Sequence, residues 1–219
     1  MPNYNAHTYF GQQVLQSLPL ELRQSCTKDL PLFRLGLYGP DPLIFSYLTK
    51  ASADRLHHHW REESLPRLER AMRQDGASNA SFAAGYLLHQ ILDDATHPQI
   101  YQYMEADGSS HFRLEIELDR LILQEQGCPR LPGMTVQGKA RAAAAAEGLL
   151  RTTTQTQYLR GLWRMASLSQ IFGGYLRGRI AQQTTQTERH QAEELRAMVD
   201  GAVAPAVQEL TAILSPVLH

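Results

Sequence analysis

The sequence predicts an all-α fold. Apolar residues recur three and four positions apart over long stretches, Gly and Pro punctuate the chain at regular intervals, and nothing reads as a strand. The first helical spacing runs through Val14, Leu15 and Leu18 and is closed by Pro19. Pro31 and the turn Gly39-Pro40-Asp41-Pro42 follow, and Asp41 there suits a helix N-cap. Leu65, Leu68 and Met72 mark the next amphipathic stretch, which Asp75-Gly76 ends. Ser78 or Asn79 can cap a helix from about Ala80 to Thr96, with Pro98 ending it because α geometry is disfavoured at His97. After Asp107-Gly108, Ser109 can cap a helix that opens with Ser110 and His111. That helix runs through Leu114, Leu118, Leu121 and Ile122 to about Gln126, before Gly127 and Pro129. Beyond Pro132, an alanine run from Ala142 to Ala146 and Thr/Gln-rich stretches accompany three or four further helices. Leu195, Met198, Val199, Val203 and Val207 form an apolar stripe expected to pack on the rest of the chain, or on a second copy in a homo-oligomer.

The composition sets limits on function. The chain has 219 residues, 43% of them hydrophobic, with 21 basic against 22 acidic side chains and a formal net charge of -1. That balance argues against a nucleic-acid binder working by bulk charge. Cys26 and Cys128 form no Cys-x-x-Cys pair, so neither a thiolate zinc site nor a disulfide scaffold is expected. No stretch of 18 apolar residues occurs, and the N-terminus shows neither a basic nor an apolar leader pattern, so the expectation is a soluble, cytoplasmic protein. Seven histidines lie between positions 7 and 111, which places the chemistry in residues 1–130, with residues 131–219 a helical segment packed on them within the same domain. Phe33, Phe45, Tyr47, Tyr101 and Tyr103 sit at helical spacing and are expected in the core rather than in a binding pocket.

Two histidine–carboxylate pairs carry the chemical argument: His89 with Asp93, and His111 with Glu115, each four residues apart on an expected helix. At that spacing both side chains leave one face, and imidazole with carboxylate is a good zinc-ligand combination. Spacing alone is a weak signal, because about one such pair arises by chance in a chain of this composition. His58 with Glu62, His59 with Glu63 and His190 with Glu194 repeat the pattern and read as solvated helix pairs.

The order of these residues adds information. Leu-Gly-Leu-Tyr-Gly-Pro-Asp at 35–41, Gly-Tyr-Leu-Leu-His-Gln-Ile-Leu-Asp-Asp-Ala-Thr-His-Pro at 85–98 and His-Phe-Arg-Leu-Glu-Ile-Glu-Leu-Asp at 111–119 resemble the zinc-dependent phospholipase C family. With His7 and the histidines at 57–59, the resemblance spans about residues 1–126. It implies an all-α bundle, similar to that of phospholipase C and P1 nuclease, with two or three zinc ions in a cleft between helices. It also implies that His89, Asp93 and one histidine of the 57–59 run hold a first zinc, and His97, His111 and Glu115 a second. Leu56-His57 best resembles the family pattern, which points to His57. Asp93 would extend to a third ion with His7, and Asp41 would orient or deprotonate the attacking water. Secreted members add a processed N-terminal tryptophan to that third site, whereas this chain starts Met1-Pro2-Asn3.

The activity implied is hydrolysis of the glycerol-side phosphate ester of a phospholipid, with another phosphodiester as the alternative substrate. Fungal single-strand nucleases use a similar three-zinc site, but they usually place an aspartate where Glu115 stands, and the chain has no basic surplus. A helical protein that holds metal without turnover is the remaining alternative. The adjacent His-Asp of HD-type phosphohydrolases is absent.

Overall fold

The computed structural model describes residues 4–45, 50–75, 77–126, 136–150, 156–165 and 182–218. Every regular element among them is helical, as expected. The first are α1 (Tyr4–Ser17), α2 (Leu20–Thr27), α3 (Leu30–Gly36), a short 3-10 turn (Asp41–Phe45), α4 (Lys50–His58), α5 (Trp60–Glu63) and α6 (Leu65–Asp75). They are followed by α7 (Ala77–Asp107), α8 (His111–Gln126), α9 (Val136–Leu150), α10 (156–165), α11 (Gln186–Gly201) and α12 (Val203–Leu218).

The long helix α7 is the axis. Every residue from Ala80 to Asp93 is buried, so this half has no solvent face and is enclosed by α1, α2, α3, α6 and α8. Small residues allow that enclosure. At the α3–α7 crossing Gly36 meets Gly85, and a Cβ built on Gly85 would lie 2.1 Å from the Phe33 carbonyl oxygen. Asp29 starts α3, its side chain accepting from the Leu32 N–H at 3.2 Å, with Pro31 in the first turn.

The expected helix end at His97 is wrong: α7 continues through Pro98 to Asp107. Proline there removes one N–H and crowds the carbonyl four residues back, at a cost of about 3 kcal/mol. Asp94 and Pro98 are both exposed, which leaves water able to serve the freed carbonyl. Packing beyond the proline holds the helix: Ile100 is fully buried, Tyr103 packs on the core and bonds Glu194, and Gln191 Nε2 donates to Asp107 Oδ2 at 2.6 Å. The start also differs, since α7 begins at Ala77, before either expected cap. At α8, His111 opens the helix and Gln126 ends it, while the Ser109 hydroxyl bonds Asp107 and Gln191 instead of capping.

Asp119 on α8 accepts from Asn5 Nδ2 at 2.8 Å and from the Ala6 N–H at 3.0 Å, which caps α1 and joins it to α8. The C-terminal helices pack on this frame, α11 against α8 and α7, and α12 against α1 and α6. Leu195 and Val199 are fully buried and Met198, Val203 and Val207 lie partly buried against the core, as the apolar stripe predicts. No single described helix is long and apolar enough to cross a membrane; α11 and α12, meeting at a 41° bend, pass that test only together. Cys26 is buried and unbridged, with its thiol pushed up to about 12 by burial, and Cys128 and Tyr47 fall outside the described residues.

Candidate metal centre

Four helices and one turn bring the expected site residues together. His7 comes from α1, Asp41 from the start of the 3-10 turn, His57 from α4, His89, Asp93 and His97 from successive turns of one face of α7, and His111 with Glu115 from α8. They form three groups in which one ligand atom from each member lies within 4.8 Å of the others: His7–His89–Asp93 and Asp41–His57–His89, which share His89, and His97–His111–Glu115.

Asp93 is the hub. Its Oδ2 lies 3.1 Å from His89 Nε2 and 3.6 Å from His57 Nε2, while Oδ1 lies 3.3 Å from His7 Nε2 and 3.6 Å from His97 Nε2. Asp41 Oδ1 is 3.2 Å from His57 Nε2 and 3.9 Å from His89 Nε2. Glu115 Oε1 is 3.0 Å from His111 Nε2 and 3.7 Å from His97 Nε2. The second expected zinc set is thus a geometric unit. Asp41 lies beside the first, grouped with His57 and His89.

Hydrogen bonds on the far sides of two rings define what these nitrogens offer. His89 Nδ1 meets the Leu37 carbonyl at 3.1 Å and His57 Nδ1 meets the Ala53 carbonyl at 2.9 Å. A carbonyl only accepts, so each Nδ1 carries the proton and each Nε2 is left with a lone pair in the neutral ring. Those two Nε2 atoms face each other at 3.4 Å, with carboxylate oxygens beside them. A knot of acceptors without donors fits a cation. His7 adds to it: it is buried, stacks on His89 with ring centroids 4.1 Å apart, and its Nδ1 has no hydrogen-bond partner. All-nitrogen-and-oxygen donor sets of this kind suit zinc.

Electrostatics keep the carboxylates ionised and, in the absence of a cation, draw protons onto the imidazoles beside them. Burial pushes Asp93 up, but His89, His97 and His7 outweigh it and hold the carboxyl well below its usual range. Asp41 and Glu115 are likewise held low against burial, by His57 and His89 and by His111 and His97 respectively. Burial lowers His7, aided by His89, whereas the carboxylates Asp93 and Glu115 overcome burial at His97 and raise it to about 9.

The turn carrying Asp41 is held from two sides. Gly39 has φ +51°, and a Cβ there would sit 2.2 Å from the His89 ring, so only glycine fits. From α10, Tyr158 donates to the Gly39 carbonyl at 2.8 Å, Arg164 bonds the Phe45 carbonyl, and Gly161 lies where a Cβ would meet the Pro42 carbonyl at 1.8 Å.

The structure separates the three adjacent histidines. His57 enters the cluster, His58 is exposed at the cleft edge, and His59 is exposed at the start of α5. His190 pairs with Glu193 and Glu194 on the α11 surface. Asp94 bonds Trp60 Nε1 at 3.0 Å and Arg61 at 3.1 Å, and Glu117 is buried against Arg120. The cluster opens into a cleft of about 330 Å³ that Ile44, Asp54 and Tyr101 also line. Phe33 is core, as expected, but Tyr101 is not: it is 38% exposed, beside His97 and His111 at ring distances of 5.9 and 5.8 Å. Its spacing of four from His97 was the available signal, hidden by the assumed helix end at Pro98.

A family model described as zinc dependent phospholipase C matches residues 6–164. The matched span therefore takes in α9 and nearly all of α10 along with every candidate ligand. Neither curated proteins nor solved structures yielded a match.

Proposed function

The chain belongs to the zinc dependent phospholipase C family, a family of hydrolases, and on that premise we propose that it cleaves the glycerol-side phosphate ester of a phospholipid. The observation that carries the reading is the convergence of Asp41, His57, Asp93, His97, His111 and Glu115 on one cleft, with His89 and His7 buried beside Asp93. His57, His89 and Asp93 would hold one zinc, and His97, His111 and Glu115 a second. His7 and Asp93 would be protein ligands for a third. Zinc held there supplies Lewis-acid polarisation of the phosphate oxygens and a lowered pKa for water.

The chain's own residues do the rest. Leu37 and Ala53 carbonyls take the Nδ1 protons of His89 and His57, so that in the neutral rings Nε2 is the nitrogen that offers a lone pair, beside Asp41 and Asp93. Asp41, ionised and next to both, orients the attacking water and accepts its proton as the new bond to phosphorus forms. The bond from phosphorus to the glycerol oxygen then breaks. The proton taken by Asp41, passed on through water, goes to that oxygen; diacylglycerol is released, the carboxylate is regenerated and the head group leaves with the phosphate. Tyr101 and Ile44 give the cleft an apolar wall beside the reacting ester.

Metal counting and turnover test this together. Zinc-reconstituted protein is expected to carry two or three ions and to release diacylglycerol from phospholipid vesicles. Asp41→Asn should keep most of the zinc while turnover falls by about 10²–10⁴-fold. Loaded protein that hydrolyses single-stranded DNA and leaves phospholipid intact would transfer the assignment to the nuclease reading. Loaded protein inert on both would leave a metal-binding helical protein.

A further inference from the structure

We propose that Glu188, on α11 and outside the matched family region, is a positioning residue for His111: the first turns of α11 clamp the chain on both sides of that ligand and set the zinc affinity of the His97–His111–Glu115 group. The inference rests on the reading of that group as a zinc site.

His57 and His89 are each oriented by a carbonyl at Nδ1, but His111 has no such support. Its hydrogen bond runs from Nε2 to Glu115, and nothing among the described residues bonds its Nδ1. Its position therefore depends on where the first turn of α8 is held. Glu188 holds that turn. It is 1% exposed, and its carboxylate accepts from the Ser110 N–H at 2.9 Å, just before His111, and from Arg113 Nε at 2.9 Å, two residues after it. The same carboxylate accepts from the Thr185 N–H at 3.0 Å while Thr185 Oγ1 caps the Glu188 N–H at 3.1 Å, so a capping box anchors the clamp to its own helix.

Gln191, one turn further on, extends the grip. Its Oε1 accepts from the Ser109 hydroxyl at 2.7 Å and its Nε2 donates to Asp107 at 2.6 Å, which secures the connection from α7, the helix carrying His97, to α8. Both residues are buried, and the charge-assisted bonds of Glu188 are of the stronger kind. A ligand held through its backbone in this way loses chelating geometry when the backbone loosens, and lost outer support typically costs 10–100-fold in metal affinity.

The experiment is a zinc titration of the full chain against a chromophoric chelator, with cobalt(II) absorption as a second readout of ligand geometry. His111→Ala identifies the class of site to follow, as the class it abolishes. Glu188→Gln, close in shape, should weaken zinc in that class by about 10-fold or more and alter its cobalt spectrum, leaving the other class at wild-type affinity. Gln191→Ala, which releases Asp107 and Ser109 but keeps the Glu188 clamp, should weaken the same class and keeps the test available if Glu188→Gln fails to fold. Arg196→Gln is the control for docking alone, because Arg196 ties α11 to Glu125 at 2.9 Å near the far end of α8. Unchanged zinc affinity in Glu188→Gln and Gln191→Ala, or an equal loss in Arg196→Gln, overturns the inference. Wild-type chain that binds no zinc overturns the metal-site reading itself, a different result from either.

Discussion

The contact between Gly36 and Gly85 leads to a quantitative expectation for Gly85→Ala. The added methyl would sit 2.1 Å from the Phe33 carbonyl oxygen and 3.0 Å from the Leu37 nitrogen. A carbon–oxygen contact of about 3.3 Å is the usual lower limit, so α3 must retreat by roughly 1 Å. Overpacking of this kind costs about 1–3 kcal/mol, while alanine returns about 1 kcal/mol of helix propensity. The same retreat stretches the 3.1 Å bond from His89 Nδ1 to the Leu37 carbonyl past hydrogen-bond range, with a further loss of about 1 kcal/mol. Net destabilisation of about 1–3 kcal/mol corresponds to a Tm lower by about 2–12 °C for a chain of this size. Calorimetry, paired with zinc titration, reads both consequences, and zinc held by His57 and His89 should weaken by about 10-fold. Gly201→Ala is the reference: a Cβ there meets nothing within 4 Å, so its Tm should be unchanged or higher. A Gly85→Ala chain with wild-type Tm and zinc affinity would refute the claim that this crossing positions His89.

His57→Ala should remove zinc from one class of site while His58→Ala leaves zinc content as it is, which elemental analysis decides; equal loss from both would undo the choice within the triplet. Glu188 supplies a pH expectation. Burial raises its carboxyl, but Arg113 and the Ser110 and Thr185 N–H groups outweigh that and bring it from 4.5 down to about 2. A depressed carboxyl stabilises above its unfolded value, so this contribution is complete above about pH 4.5 and is lost as pH falls toward 2. Urea unfolding from pH 6 to 2 should show a shallower acid limb in Glu188→Gln than in the wild type, and identical limbs would contradict it.

What could be read in the sequence was whatever one helix turn encodes. His89 with Asp93, and His111 with Glu115, are neighbours by helical geometry alone, so their pairing needed no tertiary knowledge. Among the three consecutive histidines spacing gave no choice and the likeness of Leu56-His57 to the family pattern pointed to His57, while its partners Asp41 and His89 are visible only in space. The end of α7 is not legible locally, because buried Ile100 and the bonds to α11 outweigh the proline. Tyr101 lies in that extension and is equally hidden from local rules. Glu188 shows the opposite limit: Thr185-x-x-Glu188 is legible as a capping box, but the grip on Ser110 and Arg113 crosses more than seventy residues and has no local signature.

The grip of α10 on the Asp41 turn has a consequence for how the site comes into being. A ribosome delivers the chain from its N-terminus, so every candidate ligand through Glu115 emerges before Tyr158, Gly161 and Arg164 exist to seat the turn. The contacts that seat this turn can therefore form only when residue 164 has been added. The last candidate ligand and the completed support of the Asp41 turn are thus separated by the synthesis of about fifty residues, roughly several seconds at typical elongation rates.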